Sequence, residues 1–422
     1  MTLGRKMALI RADKGMRQID LALEMGYSPA LVGNYENERC SVSKDVLATF
    51  RTVTNTEDVP LLEHELVDAK KKLHSWYDLI ITGQMERAKE LYDGFANAVK
   101  WSYDTDLKNI FEIFCAMYYY GLGDIDECNR IVEALEGREH DFASEQLLFY
   151  WYTLGYCAFY KWQYKSALEF FLKSEELGER AGLSSKQLYF NIGFCLTYMG
   201  YSNLAIEYLE KSQSSVLDAR AVAYGPSTQR FLAMCHSRLG RVEKALKLLD
   251  DYHEYLIAEN KSSNTALSVL HFNLAMVYDE AGDYEKAQEN YDKTFEHHKA
   301  KDELYLEYMC NKATFLRNND KIKETQECVN EGLSLASKDT LWYEWLNAIR
   351  HSLSLGNKSS QGYLQWTAIP KLMEHGKYYE VMKIYTWLSS HCEEENKYKP
   401  ALKYGKQASA IYSKLVKGDV SL

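Results

Sequence analysis

The chain has 422 residues, of which 46% are hydrophobic and only five are proline, a balance that suits packed helices and leaves little room for disordered linkers. No apolar run of 18 residues and no signal-peptide pattern occurs, so we expect a cytoplasmic protein without a membrane-spanning segment. The nine cysteines form no CxxC pair and no Cys/His cluster with zinc spacing. We therefore expect reduced, buried thiols, no metal and no other cofactor.

Residues 1–56 do not share the long period of the remaining chain, and their pattern predicts a separate head of four or five short helices. Gly26 marks a turn, Ser28 is placed to cap the following helix, and Pro29 takes its first position. The expected core consists of Leu9, Leu21, Ala22, Val32, Tyr35 and Leu47. These coordinated positions resemble the helix-turn-helix of phage-repressor-like (Xre-type) regulators, which implies that the head binds double-stranded DNA.

Charge favours the same interpretation, because residues 1–52 carry a net charge of +2 and the remainder carries −12. A positive end on an acidic body suits binding to a polyanion. The candidate phosphate contacts are Arg5, Lys6, Arg11, Arg17, Arg39, Lys44 and Arg51. The resemblance assigns DNA binding to Arg17, Gln18, Ser28, Pro29, Ala30, Gly33, Asn34, Asn37 and Arg39.

The start of the expected recognition helix departs from the usual pattern, because it offers mainly apolar side chains, with Asn34 and Asn37 as the strong hydrogen-bonding groups nearby. Either contacts with thymine methyls and DNA shape supply much of the specificity, or the head has drifted and binds DNA weakly. The polar stretch Thr52–Pro60 ends in a proline and predicts a linker, after which helical periodicity resumes at Leu61. Residues 61–422 are expected to form the second domain.

A helical hairpin is predicted for residues 271–291, where a turn at Gly282 separates two helical faces that carry the small residues Ala275 and Ala287. This arrangement resembles the tetratricopeptide repeat, in which small side chains let two antiparallel helices approach closely. Turns of this kind are expected near Gly83, Gly123, Trp162, Gly200, Gly240, Gly282, Asp320, Gly356 and Asn396. The residues five places later are Ala88, Cys128, Ala167, Ala205, Ala245, Ala287, Thr325, Gln361 and Ala401.

Successive turns lie 36 to 42 residues apart, somewhat longer than the usual repeat of about 34. The predicted fold is therefore all-α, with the helix-turn-helix head followed by a right-handed tetratricopeptide-like solenoid of about nine helical hairpins. The last hairpin has an apolar face formed by Tyr398, Ala401, Tyr404, Ala408, Ile411, Tyr412, Leu415 and Val416. Because terminal repeats must be capped or paired, we expect this face to join two copies in a homodimer.

A polar position recurs where a pure packing repeat needs none. Nine residues before their turns stand Asn191, Asn273, Asn311 and Asn347. Equivalent positions on stacked first helices face the concave side, and amides offer the donors and acceptors that match an extended peptide backbone. In the fifth hairpin this position is Phe231, and neighbouring Gln229 and Arg230 are candidates for the same wall, with Arg230 placed to bind a carboxylate. The alternative is that the asparagines cap turns or bridge hairpins.

The head, linker and repeat body together resemble the RRNPP-type quorum-sensing regulators of Gram-positive bacteria and their phages, in the neutral-protease regulator or phage arbitrium receptor branch. The resemblance implies a short imported signalling peptide that binds in the groove and changes dimer geometry and DNA binding. A protein-interaction scaffold or response-regulator inhibitor with a relic head is the alternative. No Gly-rich phosphate loop, GxSxG or HExxH motif occurs, so we do not expect an enzyme.

Overall fold

The computed structural model describes residues 1–180, 186–213, 219–338 and 340–420. Every regular element among these residues is helical, which confirms the all-α prediction. The chain divides into two compact units, Met1–Cys157 and Ala158–Leu422, each of which is described by itself. None of the described helices is long and apolar enough to cross a membrane.

The predicted head, residues 1–56, contains the first four helices of the chain. They are α1 (Leu3–Asp13), α2 (Gln18–Met25), α3 (Pro29–Glu36) and α4 (Lys44–Thr54). Gly26 ends α2 with φ +72°, a backbone conformation that glycine adopts without steric cost. The Ser28 hydroxyl accepts a hydrogen bond from the Leu31 amide at 3.3 Å, and Pro29 begins α3. The predicted turn and cap are therefore present.

The core of the head contains Leu21, Ala22, Val32 and Leu47 as predicted, and Tyr35 packs against it half-buried. On α1 the inward positions are Met7 and Ile10, so the prediction for Leu9 was wrong by one helical position. Other members of the core cluster are Met25, Val46, Phe50, Val59 and Leu61. The segment after α4 therefore packs against the head, and α4 itself includes Thr52–Thr54, which the sequence had assigned to the linker.

Nineteen α-helices follow the head among the described residues. They are α5 (Glu63–Ile81), α6 (Met85–Ser102), α7 (Thr105–Gly121), α8 (Ile125–Leu135), α9 (Ser144–Tyr160), α10 (Tyr164–Arg180), α11 (Lys186–Met199), α12 (Ser202–Gln213), α13 (Ala219–Arg238), α14 (Val242–Ala258), α15 (Asn264–Glu280), α16 (Tyr284–His297), α17 (Glu303–Asn318), α18 (Ile322–Leu335), α19 (Leu341–Ser352), α20 (Lys358–Tyr363), α21 (Ile369–Glu374), α22 (Tyr378–Glu394) and α23 (Tyr398–Lys417). Neighbouring helices pair as antiparallel hairpins, such as α15 with α16 and α22 with α23.

Eight of the nine predicted turns contain a residue with left-handed φ at the expected position. They are Gly83, Gly123, Trp162, Gly200, Gly240, Gly282, Asp320 and Asn396. The small residue five places later is buried in each of these hairpins, namely Ala88, Cys128, Ala167, Ala205, Ala245, Ala287, Thr325 and Ala401. A small side chain at this position lets the second helix pack closely on the first, which explains why the pattern was readable from the sequence.

The eighth hairpin departs from the predicted repeat. Gly356 is not in the left-handed region, and Gln361, at the small-residue position, is only half-buried. Its second arm consists of α20, a π-helical turn over Leu364–Ala368, and α21. Pro370, near the start of α21, has no amide hydrogen to donate to the preceding turn, which accounts for the irregular backbone just before it. A regular turn at Gly356 was therefore a wrong prediction.

Eight of the nine cysteines are buried as free thiols, in agreement with the sequence. Cys195 and Cys235 lie in the interior of their hairpins, and burial raises the pKa of Cys235 to about 11. Cys40 is exposed, contrary to the expectation for the whole set. The described residues include no group of three or more His, Cys, Asp or Glu side chains that could hold a metal ion.

Candidate functional site

The exposed end of α3 holds several of the predicted DNA-binding residues. Ser28, Pro29 and Ala30 are exposed at its first turn, and Gly33 and Asn34 are half-buried one turn later. The Asn37 side chain donates to the Gly33 carbonyl at 2.7 Å, so part of its hydrogen-bonding capacity is used within α3. Arg39 is exposed just beyond the helix.

Arg17 stands at the N-terminus of α2 and makes a bidentate pair with Asp20, with two N···O distances of 2.9 Å. The hydrogen bonds from Arg17 lower the pKa of Asp20 to about 2. Both side chains are in solvent, where such a pair contributes little to stability. Arg17 can therefore exchange this partner for a phosphate at small cost.

Gln18 and Arg11 instead converge on the buried carboxylate of Glu36. Arg11 Nε and Nη2 lie 2.5 and 3.0 Å from the two Glu36 oxygens, and Gln18 Nε2 lies 2.6 Å from Oε2. This network joins α1, α2 and α3. The Gln18 amide is therefore used within the head. Its predicted contact with DNA is not tested by this arrangement and stays a prediction.

Three of the predicted phosphate contacts are used inside the first unit. Besides Arg11, Lys6 is buried and donates to the Leu61 carbonyl at 3.1 Å, while Arg51 pairs with Glu65 at 2.6 Å. Burial lowers the pKa of Lys6. Lys6, Arg11 and Arg51 thus already have partners within the first unit, and the phosphate contacts predicted for them stay predictions. The exposed cations that remain from that set are Arg5, Arg17, Arg39 and Lys44.

The predicted asparagines lie on the first helices α11, α15, α17 and α19 of the second unit, and Phe231 takes the equivalent position on α13. These five first helices pack side by side. The Nδ2 atoms of Asn273, Asn311 and Asn347 donate to the carbonyls four residues earlier on their own helices, at 2.7, 2.9 and 2.9 Å. The fourth, Asn191, accepts a hydrogen bond from Gln187 at 3.3 Å. Three of the four amides therefore use their donor side locally, in the same way.

The acceptor side of two asparagines is left without a partner. The Oδ1 atoms of Asn273 and Asn347 are buried and have no hydrogen-bond partner in the described parts of the chain. A buried acceptor without a partner costs about 1–3 kcal/mol, so such atoms need an explanation. The sequence predicted four amides that offer both donor and acceptor, whereas among the described residues an acceptor without a partner is found at Asn273 and Asn347.

Helix α22 covers part of this row. Asn311 lines a narrow cavity of about 10 Å³ together with Tyr379, Glu380 and Lys383 of α22. The Trp387 indole of the same helix donates to Asn318 Oδ1 at 2.9 Å, which ties α22 to the end of α17. The sequence had suggested that the asparagines line an open groove. In this structure they are instead covered or buried.

A buried charged cluster, which the sequence analysis missed, lies beside the row. Lys377, directly before α22, is 2% exposed and its ammonium lies 4.8 Å from the Tyr198 ring centroid. Burial lowers the pKa of Lys377, and the nearby carboxylates of Glu380 and Glu307 oppose this change. Glu307, Asn311 and Thr314 have helical i, i+4, i+7 spacing, and this polar stripe on α17 was the signal that could have revealed the cluster.

Arg230 adds a cation to the same region. Burial raises the pKa of Glu307, and the charges of Lys377 and Arg230 and a hydrogen bond from Tyr198 oppose that change. The Arg230 guanidinium lies 4.5 Å from the ring centroid of Phe231, and its Nε is buried without a partner among the described residues. Gln229, next to it, is half-buried. The structure thus places Arg230 near the charges of Glu307 and Lys377, and the ligand contact predicted for Arg230 stays a prediction.

Comparisons with known proteins agree with this architecture. Models of the tetratricopeptide repeat match residues 186–215 and 226–300, and the chain matches no curated protein sequence. Each of three similar solved structures covers 82% of this chain. NprR in complex with its cognate peptide NprX is 19% identical, with 99% of that chain covered and a TM-score of 0.71. The apo form of the quorum sensor NprR from B. thuringiensis is 21% identical, with 99% covered and a TM-score of 0.58.

A Rap protein complexed with Competence and Sporulation Factor is 14% identical, with 98% of that chain covered and a TM-score of 0.69. At these levels of identity the similarity establishes the fold alone. The chain has a tetratricopeptide-repeat fold, and it shares this fold with the NprR and Rap structures.

Proposed function

We propose that this chain is a cytoplasmic, peptide-responsive transcription regulator of the RRNPP type, without catalytic activity. The observation that carries the proposal is the row of Asn273, Asn311 and Asn347 on the inner helices α15, α17 and α19, where each amide donates to its own helix. In this row Asn273 Oδ1 and Asn347 Oδ1 are buried acceptors without a partner among the described residues. Backbone N–H groups of an extended peptide are suitable donors for these oxygens. The head then transmits the peptide signal to DNA.

The spacing of the row indicates the size of the ligand. Helices packed side by side lie about 10 Å apart, and an extended chain rises about 3.3 Å per residue. Asn273, Asn311 and Asn347 lie on α15, α17 and α19, so the row suits a peptide of about 5 to 10 residues. Because α22 covers Asn311, the peptide must displace side chains of α22, and this displacement is a route by which binding changes the conformation of the repeats.

DNA binding is assigned to the first turn of α3, with Arg5, Arg17, Arg39 and Lys44 as phosphate contacts. All four cations are exposed. A single head reads one half-site, so two copies are needed to bind a pseudo-palindromic operator. The homodimer is proposed to form through the terminal helix α23.

The face of α23 that is available for pairing differs from the one the sequence suggested. Ala401, Tyr404, Ile411 and Leu415 are buried. The exposed apolar residues of α23 are Tyr398, Leu402, Tyr412 and Val416. These residues form the proposed dimer surface, and exposed apolar patches of this kind commonly mark interaction sites.

A response-regulator inhibitor or interaction scaffold is the second candidate. It is favoured by the internal use of Lys6, Arg11 and Arg51, which reduces the cations available to DNA, and by the similarity in fold to the Rap protein. In this case the partner would be a response-regulator protein and the head would be a relic.

Salt-dependent binding of the purified protein to genomic operator fragments and to random DNA separates the two candidates. A regulator prefers particular fragments, and its affinity changes when the cognate peptide is added. Equal, weak binding to all DNA, together with binding to a response regulator, would favour the second candidate.

A further inference from the structure

The ammonium of Lys377 is surrounded by four aromatic rings of the second unit. Its Nζ atom lies 4.9 Å from the ring centroid of Tyr164 and 4.8 Å from that of Tyr198. The ring centroids of Trp342 and Trp345 lie 5.8 and 5.1 Å away. These four rings form an aromatic cage, which attracts a cation most strongly where water is excluded. Because the rings belong to α10, α11 and α19, one lysine connects hairpins that are distant in sequence.

Buried charges complete the surroundings of this lysine. The carboxylates of Glu307 on α17 and Glu380 on α22 are buried and attract the Lys377 ammonium, whereas the charge of Arg238 opposes it. Arg230 also faces Glu307. Loss of the Lys377 charge would leave an excess of buried negative charge, which strongly disfavours the arrangement that buries it. The position of Lys377 is therefore held by charge, and its release requires that these groups become hydrated.

The rest of α22 is fastened to the inner helices by long polar side chains. The backbone of α22 packs on α19, α21 and α23. Toward α15, the Tyr379 hydroxyl donates to Glu280 at 2.8 Å, and Lys383 Nζ lies 4.0 Å from the same carboxylate. Toward α17, the Trp387 indole donates to Asn318 at 2.9 Å. Contacts of this kind are exchanged for contacts with water at a small net cost.

The covered arrangement also has features that favour movement. The Tyr164 hydroxyl, Trp342 Nε1 and Glu380 Oε2 are buried without a hydrogen-bond partner among the described residues, which disfavours the arrangement that buries them. The arm that precedes α22 contains the π-helical turn over Leu364–Ala368 and ends in the left-handed turn at Gly376. Such irregular backbone often occurs at functional sites, and a few residues at the end of an element can absorb a hinge motion.

We propose that Lys377 is a latch that holds α22 over the asparagine row, and that its release from the aromatic cage lets the α22–α23 hairpin move away and opens the groove. In the closed arrangement Tyr379, Glu380 and Lys383 cover Asn311. A ligand that binds only the open arrangement has its affinity reduced by the fraction of molecules that are open. The latch thus regulates access to the groove. This consequence rests on the proposed function, whereas the opening itself does not.

Hydrogen–deuterium exchange of the full-length protein, without any ligand, tests the latch. In Lys377→Met the side chain keeps its length but loses its charge, and the amides of α22 are expected to exchange at least about tenfold faster. The amides of α14 and α16, which pack on α13, α15 and α17, should change less than about twofold. The matched control is Lys286→Met, because this ammonium also lies over a ring, 5.2 Å from Tyr278, and pairs with Asp283 in solvent. It should leave the exchange of α22 within about twofold of the unmodified protein.

A disulfide lock distinguishes opening of the hairpin from general destabilisation. A Cβ atom at Gly418 would lie 3.7 Å from the Leu204 Cβ, a separation that a disulfide spans. Leu204→Cys with Gly418→Cys, combined with Cys40→Ser to remove the exposed native thiol, therefore ties the end of α23 to α12 when oxidised. In Lys377→Met the oxidised lock is expected to return the exchange of α22 to within about threefold of the unmodified protein, and reduction should reverse this.

Unchanged exchange of α22 in Lys377→Met, equal acceleration in α14 and α16, or no effect of the oxidised lock would overturn the latch. Insolubility of Lys377→Met even with the lock oxidised would also overturn it, because Lys377 would then be needed for folding rather than for closure. A failed search for a signalling peptide would count against the proposed function and leaves these exchange results unaffected.

Discussion

The indole of Trp162 donates a hydrogen bond of 2.5 Å to the carboxylate of Glu303, which joins two residues 141 positions apart in the chain. Trp162 is the left-handed turn residue between α9 and α10, and Glu303 begins α17. The same tryptophan packs edge-on against Trp342, and its carbonyl lies 3.2 Å from His375 Nδ1. Hairpins that are distant in sequence are therefore connected within the second unit.

Replacement of Trp162 by Phe is expected to loosen this connection while keeping a ring against Trp342. The lost hydrogen bond should lower the free energy of unfolding by about 0.5–1 kcal/mol. Urea unfolding of the full chain measures the change, and Trp151→Phe, in which the altered residue is outside this connection, is the control. An unchanged midpoint would show that the Trp162–Glu303 contact contributes nothing in solution.

The second prediction concerns the asparagine row. Asn273→Ala with Asn311→Ala is expected to weaken binding of the signalling peptide at least about tenfold, because each lost hydrogen bond should cost about 1 kcal/mol or somewhat more. Calorimetry with peptides encoded next to the gene provides the measurement. The exposed Asn330 on α18, changed to Ala, is the matched control. Tight binding that is indifferent to the row would mean that these asparagines only stabilise their own helices.

The repeat pattern and the positions of the asparagines were predictable because both depend on local spacing. A left-handed turn residue followed five places later by a small one is fixed within a single hairpin, which is why eight of the nine turns were located. The cover of Asn311 by Glu380 and Lys383 was not predictable. It depends on how rotations between successive hairpins add up over several repeats, and the sequence of any one hairpin does not contain this information.

The internal ion pairs of the head were missed for a related reason. Arg11 and Glu36 are 25 residues apart, and composition alone cannot distinguish an arginine that faces a buried carboxylate from one that faces DNA. The prediction for the eighth hairpin was wrong because Pro370 changes the backbone of its second arm. The pattern used for the prediction considers only the turn residue and the small residue five places later.

These assignments in the head lead to a third prediction. Arg39→Ala is expected to weaken binding to all DNA sequences and to lower the salt slope by about 1, because the residue is exposed and proposed to contact a phosphate. Arg11→Ala should instead destabilise the head by about 1–3 kcal/mol, since it leaves the buried Glu36 carboxylate without its main partner. DNA titrations at several salt concentrations and thermal unfolding distinguish the two effects. If Arg39→Ala lowered the stability and Arg11→Ala weakened DNA binding without lowering the stability, both assignments would be wrong.

The fourth prediction is a pH dependence. Burial raises the pKa of Asp279 to about 6, with Lys383 opposing and Glu280 reinforcing the shift. A carboxyl group with a raised folded-state pKa destabilises the folded chain when it ionises, so this cost is absent below about pH 4 and complete above about pH 6. Asp279→Asn should therefore be more stable than the unmodified protein at pH 7.5, and the difference should disappear near pH 4. The exposed Asp251→Asn on α14 should show no such trend.

The last prediction tests the dimer surface on α23. Leu402 and Tyr412 are 61% and 55% exposed, so their replacement by polar residues should not disturb the packing of the hairpin. Leu402→Asp with Tyr412→Ser is expected to give a folded monomer in analytical ultracentrifugation, because a charge and a lost ring at the centre of an apolar contact oppose association. The monomer should keep its peptide affinity but lose most of its affinity for a two-half-site operator, since it can no longer place two heads at once. The exposed pair Ile257→Asp with Leu335→Ser, on α14 and α18, is the control and should leave the dimer intact. A dimer that survives the α23 changes would place the contact on another surface, whereas a monomer that retains full operator affinity would remove the need for paired heads.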